Sequence, residues 1–105
     1  MKKEDNMSKN KINITFDLET LGNTSESPIV QIGAVKFDDY GVILDKFLRT
    51  ITPNSLENYN FKTDYKTLYW WLQQEDKAIK SVFGEDIKKT PLKQALYEFT
   101  KWLEK

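Results

Sequence analysis

Ile14-Thr15-Phe16-Asp17-Leu18-Glu19-Thr20-Leu21-Gly22 is an apolar stretch that carries two carboxylates at its carboxyl end and then breaks at a glycine. Ile12, Ile14, Phe16 and Leu18 alternate with Asn13, Thr15, Asp17 and Glu19, the two-residue period of a strand. The apolar set therefore shares one face and both acids share the other. Asp17 and Glu19 form the only acid-x-acid pair of the chain, and no basic residue lies among Phe16 to Ser27 to neutralise them. Two carboxylates that close repel unless a cation sits between them, and a hard divalent ion with oxygen ligands meets that need. The competing reading is a strand whose polar face meets only solvent.

Working outward, 105 residues bound one small domain or part of one. Sixteen basic residues balance sixteen acidic ones, so no overall positive field advertises a general nucleic-acid binder. The absence of cysteine excludes disulfides and thiolate metal sites. The absence of histidine removes imidazole acid-base catalysis, His-ligated zinc and every Ser-His or Cys-His arrangement. Carboxylate chemistry is what remains. No apolar run reaches membrane-spanning length, and Met1 to Asn10 carries charges with no apolar signal core behind it, which leads us to expect no membrane partner and a cytoplasmic protein.

Residues 1–11 are polar and charged and are expected to form a disordered tail. The strand Ile12 to Glu19 is followed by a loop dense in turn formers, Leu21 to Pro28. Ile29 to Asp38 reads as a second strand, in which Gly33 predicts something packed tightly over it. Asp39-Tyr40-Gly41 supplies a hairpin turn into a third strand, Val42 to Ile51, whose Lys46 and Arg49 suit a sheet edge. Leu56 to Thr63 has no clear period and reads as loop. Asp64 can cap a helix carrying Leu68, Trp71, Leu72, Ile79 and Val82, with Gly84 as its stop and a break near Gln74-Glu75. Pro91 opens a last helix with an apolar stripe of Leu92, Leu96, Phe99 and Leu103. The fold class is thus α/β: a three-stranded antiparallel meander followed by two or three helices. Trp70 and Trp71 point about 100° apart on a helix, so Trp71 is expected in the core and Trp70 partly exposed, where with Tyr69 it can offer a base a stacking face.

Phe16-Asp17-Leu18-Glu19-Thr20-Leu21-Gly22, followed by Pro28-Ile29-Val30-Gln31-Ile32-Gly33-Ala34-Val35-Lys36-Phe37-Asp38, resembles the first motif and second strand of the DEDD, or proofreading-type, 3′-to-5′ exonucleases. Thr67-Leu68-Tyr69-Trp70-Trp71-Leu72-Gln73-Gln74 resembles the Thr-x-x-Trp-Trp-x-x-Gln helix of a compact phage and bacterial subgroup, which includes phage exonuclease A and a mycobacterial 3′ exoribonuclease. The resemblance runs from residue 12 to 105 and implies the amino-terminal part of a ribonuclease-H-like fold, with its fourth and fifth strands missing. It implies metal-dependent phosphodiester hydrolysis from the 3′ end of a single-stranded nucleic acid, DNA or RNA, releasing nucleoside 5′-monophosphates. Asp17 and Glu19 would be two of four carboxylates holding a pair of Mg2+ or Mn2+ ions, Asp17 shared and Glu19 on the ion that carries the attacking water. Thr20 and Leu21, just after the acid pair, are nominated as contacts to the terminal nucleotide, and Trp70 as a further substrate contact.

The chain departs from that pattern at its end. The family's second conserved aspartate follows the fourth strand, and its last aspartate comes with a general-base histidine or tyrosine on the final helix. Neither motif has a match here. Two function classes follow: an exonuclease completed by residues outside this chain, or a non-catalytic relative that binds a partner or a nucleic-acid end. A sheet without its fourth strand also leaves the first strand as an open edge, and we expect self-association there or capture of a carboxyl-terminal complementing fragment.

Overall fold

The computed structural model describes residues 11–105, so the expected tail at residues 1–11 lies outside the described residues except for Lys11, which is exposed and belongs to no strand or helix. Three strands form the predicted meander: β1 (Asn13–Thr20), β2 (Ile29–Phe37) and β3 (Ile43–Ile51). Both pairings are antiparallel, and β2 lies in the middle. Gly41, at a φ of +83°, makes the turn between β2 and β3, a backbone region that side chains with a Cβ rarely adopt. A short 3-10 helix follows at Pro53–Asn58, in the region read as strand end and loop. Helices α1 (Tyr65–Leu72) and α2 (Asp76–Phe83) then flank the expected break, and α3 (Leu92–Glu104) closes the chain.

The mixed α/β class is as expected, with one addition. Lys89–Thr90 forms a two-residue β4 parallel to the end of β3, which makes the sheet four-stranded in the order β1-β2-β3-β4. This strand lies on the far side of β3 from β1, so β1 is an edge of the sheet among the described residues.

The main core lies between one sheet face and α3. Ile32, Ala34 and Lys36 alternate inward along β2, and Ile32 and Ala34 meet Phe47 and Ile51 of β3 beneath Leu92, Ala95 and Trp102. The buried line on α3 is therefore Leu92, Ala95, Phe99 and Trp102, which corrects the expected stripe: Leu96 and Leu103 are substantially exposed. Two polar contacts set this rotation. The Trp102 indole Nε1–H donates to Asp45 Oδ2 at 2.9 Å, and Arg49 Nε bonds Glu98 Oε1 at 2.6 Å. Arg49 also lies 4.3 Å from the centre of the Phe47 ring, so it ties β3 to α3 and does not merely charge an edge. At the helix start, Ser55 Oγ accepts the Leu92 N–H at 3.0 Å and donates to the Thr52 carbonyl, so the 3-10 helix supplies the cap that α3 itself lacks.

A second, smaller cluster sits at the carboxyl end of β1. Val30, Trp71 and Val82 are buried there with Leu21 packed against them. Leu72, expected in the helical core, is 70 % exposed, because Trp71 takes the inward position of α1. Asp64 stands at the amino-terminal boundary of α1 as expected, and its carboxylate accepts the Thr67 hydroxyl at 3.0 Å instead of a backbone N–H. Gly84 ends α2 as expected.

Candidate functional site on the open face of the sheet

The strand register builds the site in rows. Asp17 lies opposite Gly33, which lies opposite Leu48; Glu19 lies opposite Gln31, which lies opposite Thr50; Thr15, Val35 and Lys46 form the adjacent row. These side chains stand on the face away from α3. Together they border a shallow groove of about 440 Å³, lined among others by Asp17, Glu19, Gln31, Gly33, Lys46 and Leu48.

Asp17 is exposed and Glu19 half-buried, and among the described residues neither carboxylate makes an ion pair. Both thus keep their oxygens free for a ligand from the groove. Gly33 contributes openness beside Asp17. A Cβ there would lie 3.7 Å from Leu48 Cδ1, an ordinary contact, so nothing packs tightly over this glycine and that expectation is corrected. Its place in the register means instead that no side chain stands beside the Asp17 carboxylate on β2.

The donor set suits a hard divalent cation, because carboxylate oxygens are the ligands magnesium and manganese prefer. Two carboxylates alone do not fill the coordination sphere of such an ion. Among the described residues no group of three or more acidic side chains gathers in one place. The rest of a coordination sphere would have to come from water, from phosphate oxygens, or from carboxylates beyond the described residues.

Thr20 and Leu21 are held by their backbones. The register shifts between Glu19 and Thr20, where Thr20 pairs with Ile29 and Val30 is left over. Beyond this bulge the Leu21 N–H donates to the Pro28 carbonyl at 3.1 Å, and the Leu21 carbonyl accepts the Asp64 N–H at 2.8 Å. The Leu21 side chain faces the small cluster of Val30, Trp71 and Val82, while the Thr20 hydroxyl donates to the Gly22 carbonyl. At Gly22 a methyl group would overlap the buried Ser27 hydroxyl, which itself accepts the Thr24 N–H at 3.1 Å and locks the loop. Trp70, half-exposed as expected, meets the Trp71 ring edge-on at a centroid distance of 5.2 Å. Tyr69 is also exposed.

Gln31 and Lys46 line the groove although residue types alone did not nominate them. Gln31 Nε2 donates to Thr50 Oγ1 at 3.0 Å and to the Ser81 carbonyl at 3.2 Å, fixing its amide at the Glu19 end of the groove. Only the strand register identifies these two, since nothing in sequence spacing says which residues of β2 and β3 oppose the acid pair.

The acid pair at the end of β1 and the Trp-Trp helix α1 are the segments that carry the two sequence motifs. No curated protein matches the sequence. A family model described as the 3′-5′ exoribonuclease Rv2179c-like domain matches residues 12–105, which takes in every strand and helix of the structure. The chain therefore belongs to the Rv2179c-like 3′-5′ exoribonuclease domain family, of which it carries a partial domain.

Proposed function

We propose that this chain is the amino-terminal half of a metal-dependent 3′-to-5′ exonuclease domain with a ribonuclease-H-like fold. Its substrate is the 3′ end of a single-stranded nucleic acid, RNA by the description of the family. One observation carries the reading: Asp17 and Glu19 stand side by side on an open sheet face, unpaired among the described residues, in a chain of this family. The two carboxylates would hold Mg2+ or Mn2+, which when bound supplies Lewis-acid polarisation and a low-pKa water for phosphodiester hydrolysis. The chain's own residues do the positioning. The Asp17 and Glu19 oxygens fix where the scissile phosphate stops, Gly33 leaves room for it, and Thr20, Leu21 and the Trp70 face border the terminal nucleotide.

Two carboxylates make an incomplete catalytic set, and groups that act as one unit lose nearly all activity when members are absent. A non-catalytic, end-binding role for the chain alone is thus the second reading, favoured by the lack of a third acid near the pair among the described residues. The remaining ligands would arrive on a strand that pairs with the open edge of β1, from a complementing segment or a second copy.

Manganese titration followed by nuclear magnetic resonance tests the site. Broadening centred on Asp17 and Glu19, lost in Asp17→Asn, is expected; an unchanged spectrum at millimolar manganese removes the metal site from this chain. Incubation with 3′-labelled single-stranded RNA and DNA separates the two readings. Barely detectable mononucleotide release is expected from the chain alone, and robust release abolished by Glu19→Ala would show that a second copy completes the site.

A further inference from the structure

The bulge that separates Glu19 from Thr20 is held from two sides by one residue. Val30, the residue of β2 left unpaired by the register shift, is buried against the Trp71 ring. On the other strand, the Trp71 indole Nε1–H donates to the Thr20 carbonyl at 3.0 Å, across 51 positions of sequence. Trp71 is itself 5 % exposed, and the Phe83 ring meets it edge-on at 5.2 Å, so the indole has little freedom to turn. A bulge increases local twist and re-aims the side chains next to it. Glu19 is the residue of β1 directly before the shift, two residues from Asp17 on the same face.

The rest of the Trp-Trp motif secures the helix that carries this indole. The Thr67 hydroxyl bonds the Asp64 carboxylate at 3.0 Å, while the Asp64 N–H bonds the Leu21 carbonyl just past the bulge. Gln74 Nε2 returns to the Trp70 carbonyl at 3.0 Å at the other end of α1. The helix is thereby pinned to the strand end at two carbonyls, those of Thr20 and Leu21.

We propose that Trp71 is a positioning residue: by clamping the Glu19/Thr20 bulge between its ring and its indole N–H, it sets the direction of the Glu19 carboxylate in the metal site. The clamp rests on the metal-site reading above for its purpose, although not for its geometry. It acts through the backbone next to the ligand, one step further out than a direct hydrogen bond to a ligand. Its loss should therefore cost less than the roughly 10- to 100-fold drop in metal affinity typical of such a direct partner.

Trp71→Phe keeps most of the ring and removes the donor, and Val82→Ala loosens the same cluster while leaving the N–H in place. Manganese affinity, read from the broadening of the Asp17 and Glu19 amides, is expected to fall about three- to tenfold in Trp71→Phe and to stay near wild type in Val82→Ala. Equal affinity in Trp71→Phe and wild type, or equal losses in both variants, would overturn the proposal. If the wild-type chain shows no manganese response, the metal reading fails by itself, and the clamp is judged on the carbonyl shift of Thr20 and the amide shifts of Glu19 and Leu21. These must move in Trp71→Phe and hold in Val82→Ala. Should Trp71→Phe fail to fold, wild-type hydrogen exchange decides: the Trp71 indole proton is expected to exchange much more slowly than that of Trp70, and equal rates would refute the clamp.

Discussion

Gly33 shows how one residue serves the groove at the expense of the strand. A glycine inside a strand forfeits about 0.5–1 kcal/mol relative to alanine, and here the space it leaves is beside Asp17. Gly33→Ala would place its methyl group 3.7 Å from Leu48, with no clash. Unfolding stability is expected to hold or rise slightly, while manganese or RNA-end binding weakens; a thermal melt and a binding titration on the same sample check both halves. Gly22 is the opposite case. A methyl group there overlaps the Ser27 hydroxyl, so Gly22→Ala is expected to destabilise the loop by about 1–3 kcal/mol, read as a lower melting temperature.

Asp45 and Glu98 tie β3 and α3 together, and both titrate below their ordinary values. For Asp45 the Lys46 backbone N–H is the largest cause, followed by the Trp102 indole. For Glu98 the Gln94 amide comes first and then Arg49. A carboxylate whose folded pKa is depressed contributes stability that is complete above its unfolded pKa and is lost as pH falls through the folded one. The contribution should accordingly be intact above the ordinary values of 3.8 and 4.5 and vanish at lower pH. Acid unfolding followed by tryptophan fluorescence should begin below that range, and Asp45→Asn should make the loss of stability with falling pH shallower.

At the scale of elements, α3 illustrates why a hydrophobic stripe is not yet a packing face. Leu92, Leu96, Phe99 and Leu103 are its larger apolar residues along one line, yet Ala95, fully buried, is the residue set against Ile32 and Ala34. Alanine permits the close approach of helix to sheet, and the Trp102–Asp45 and Arg49–Glu98 bonds then fix the helix rotation. Ala95→Leu is expected to cost about 1–3 kcal/mol by overpacking. Leu96→Ala, at a largely exposed position, should stay within about 0.5 kcal/mol apart from helix propensity. Denaturant unfolding of the two variants distinguishes this rotation from the one the larger residues suggest.

The whole molecule carries its asymmetry at the β1 edge. Ile14 and Leu18 on the α3 side are substantially exposed, and Phe16 is 58 % exposed although its ring reaches Phe99 at 5.8 Å. An open strand edge beside an apolar face invites another strand. Self-association at micromolar concentration is expected by light scattering, and Phe16→Lys should reduce it. A monodisperse monomer with slow amide exchange along Ile12 to Leu18 would show that the edge is closed.

Among the described residues no helix is long and apolar enough to cross a membrane, which agrees with the charge spread along the sequence. Local pattern alone determined the meander, the two adjacent helices and their break, the start of α3, and the pairing of Asp17 with Glu19 on one strand face. Those features follow from periods of two and 3.6 residues and from Gly and Pro signals that act over a few positions. Tertiary structure decided the rest: the register that sets Gln31, Gly33 and Lys46 around the acids, the rotation of α3, the Ser55 cap, the short β4, and the reach of Trp71 to Thr20. Each depends on residues tens of positions apart, joined by hydrogen bonds and packing that no local period encodes.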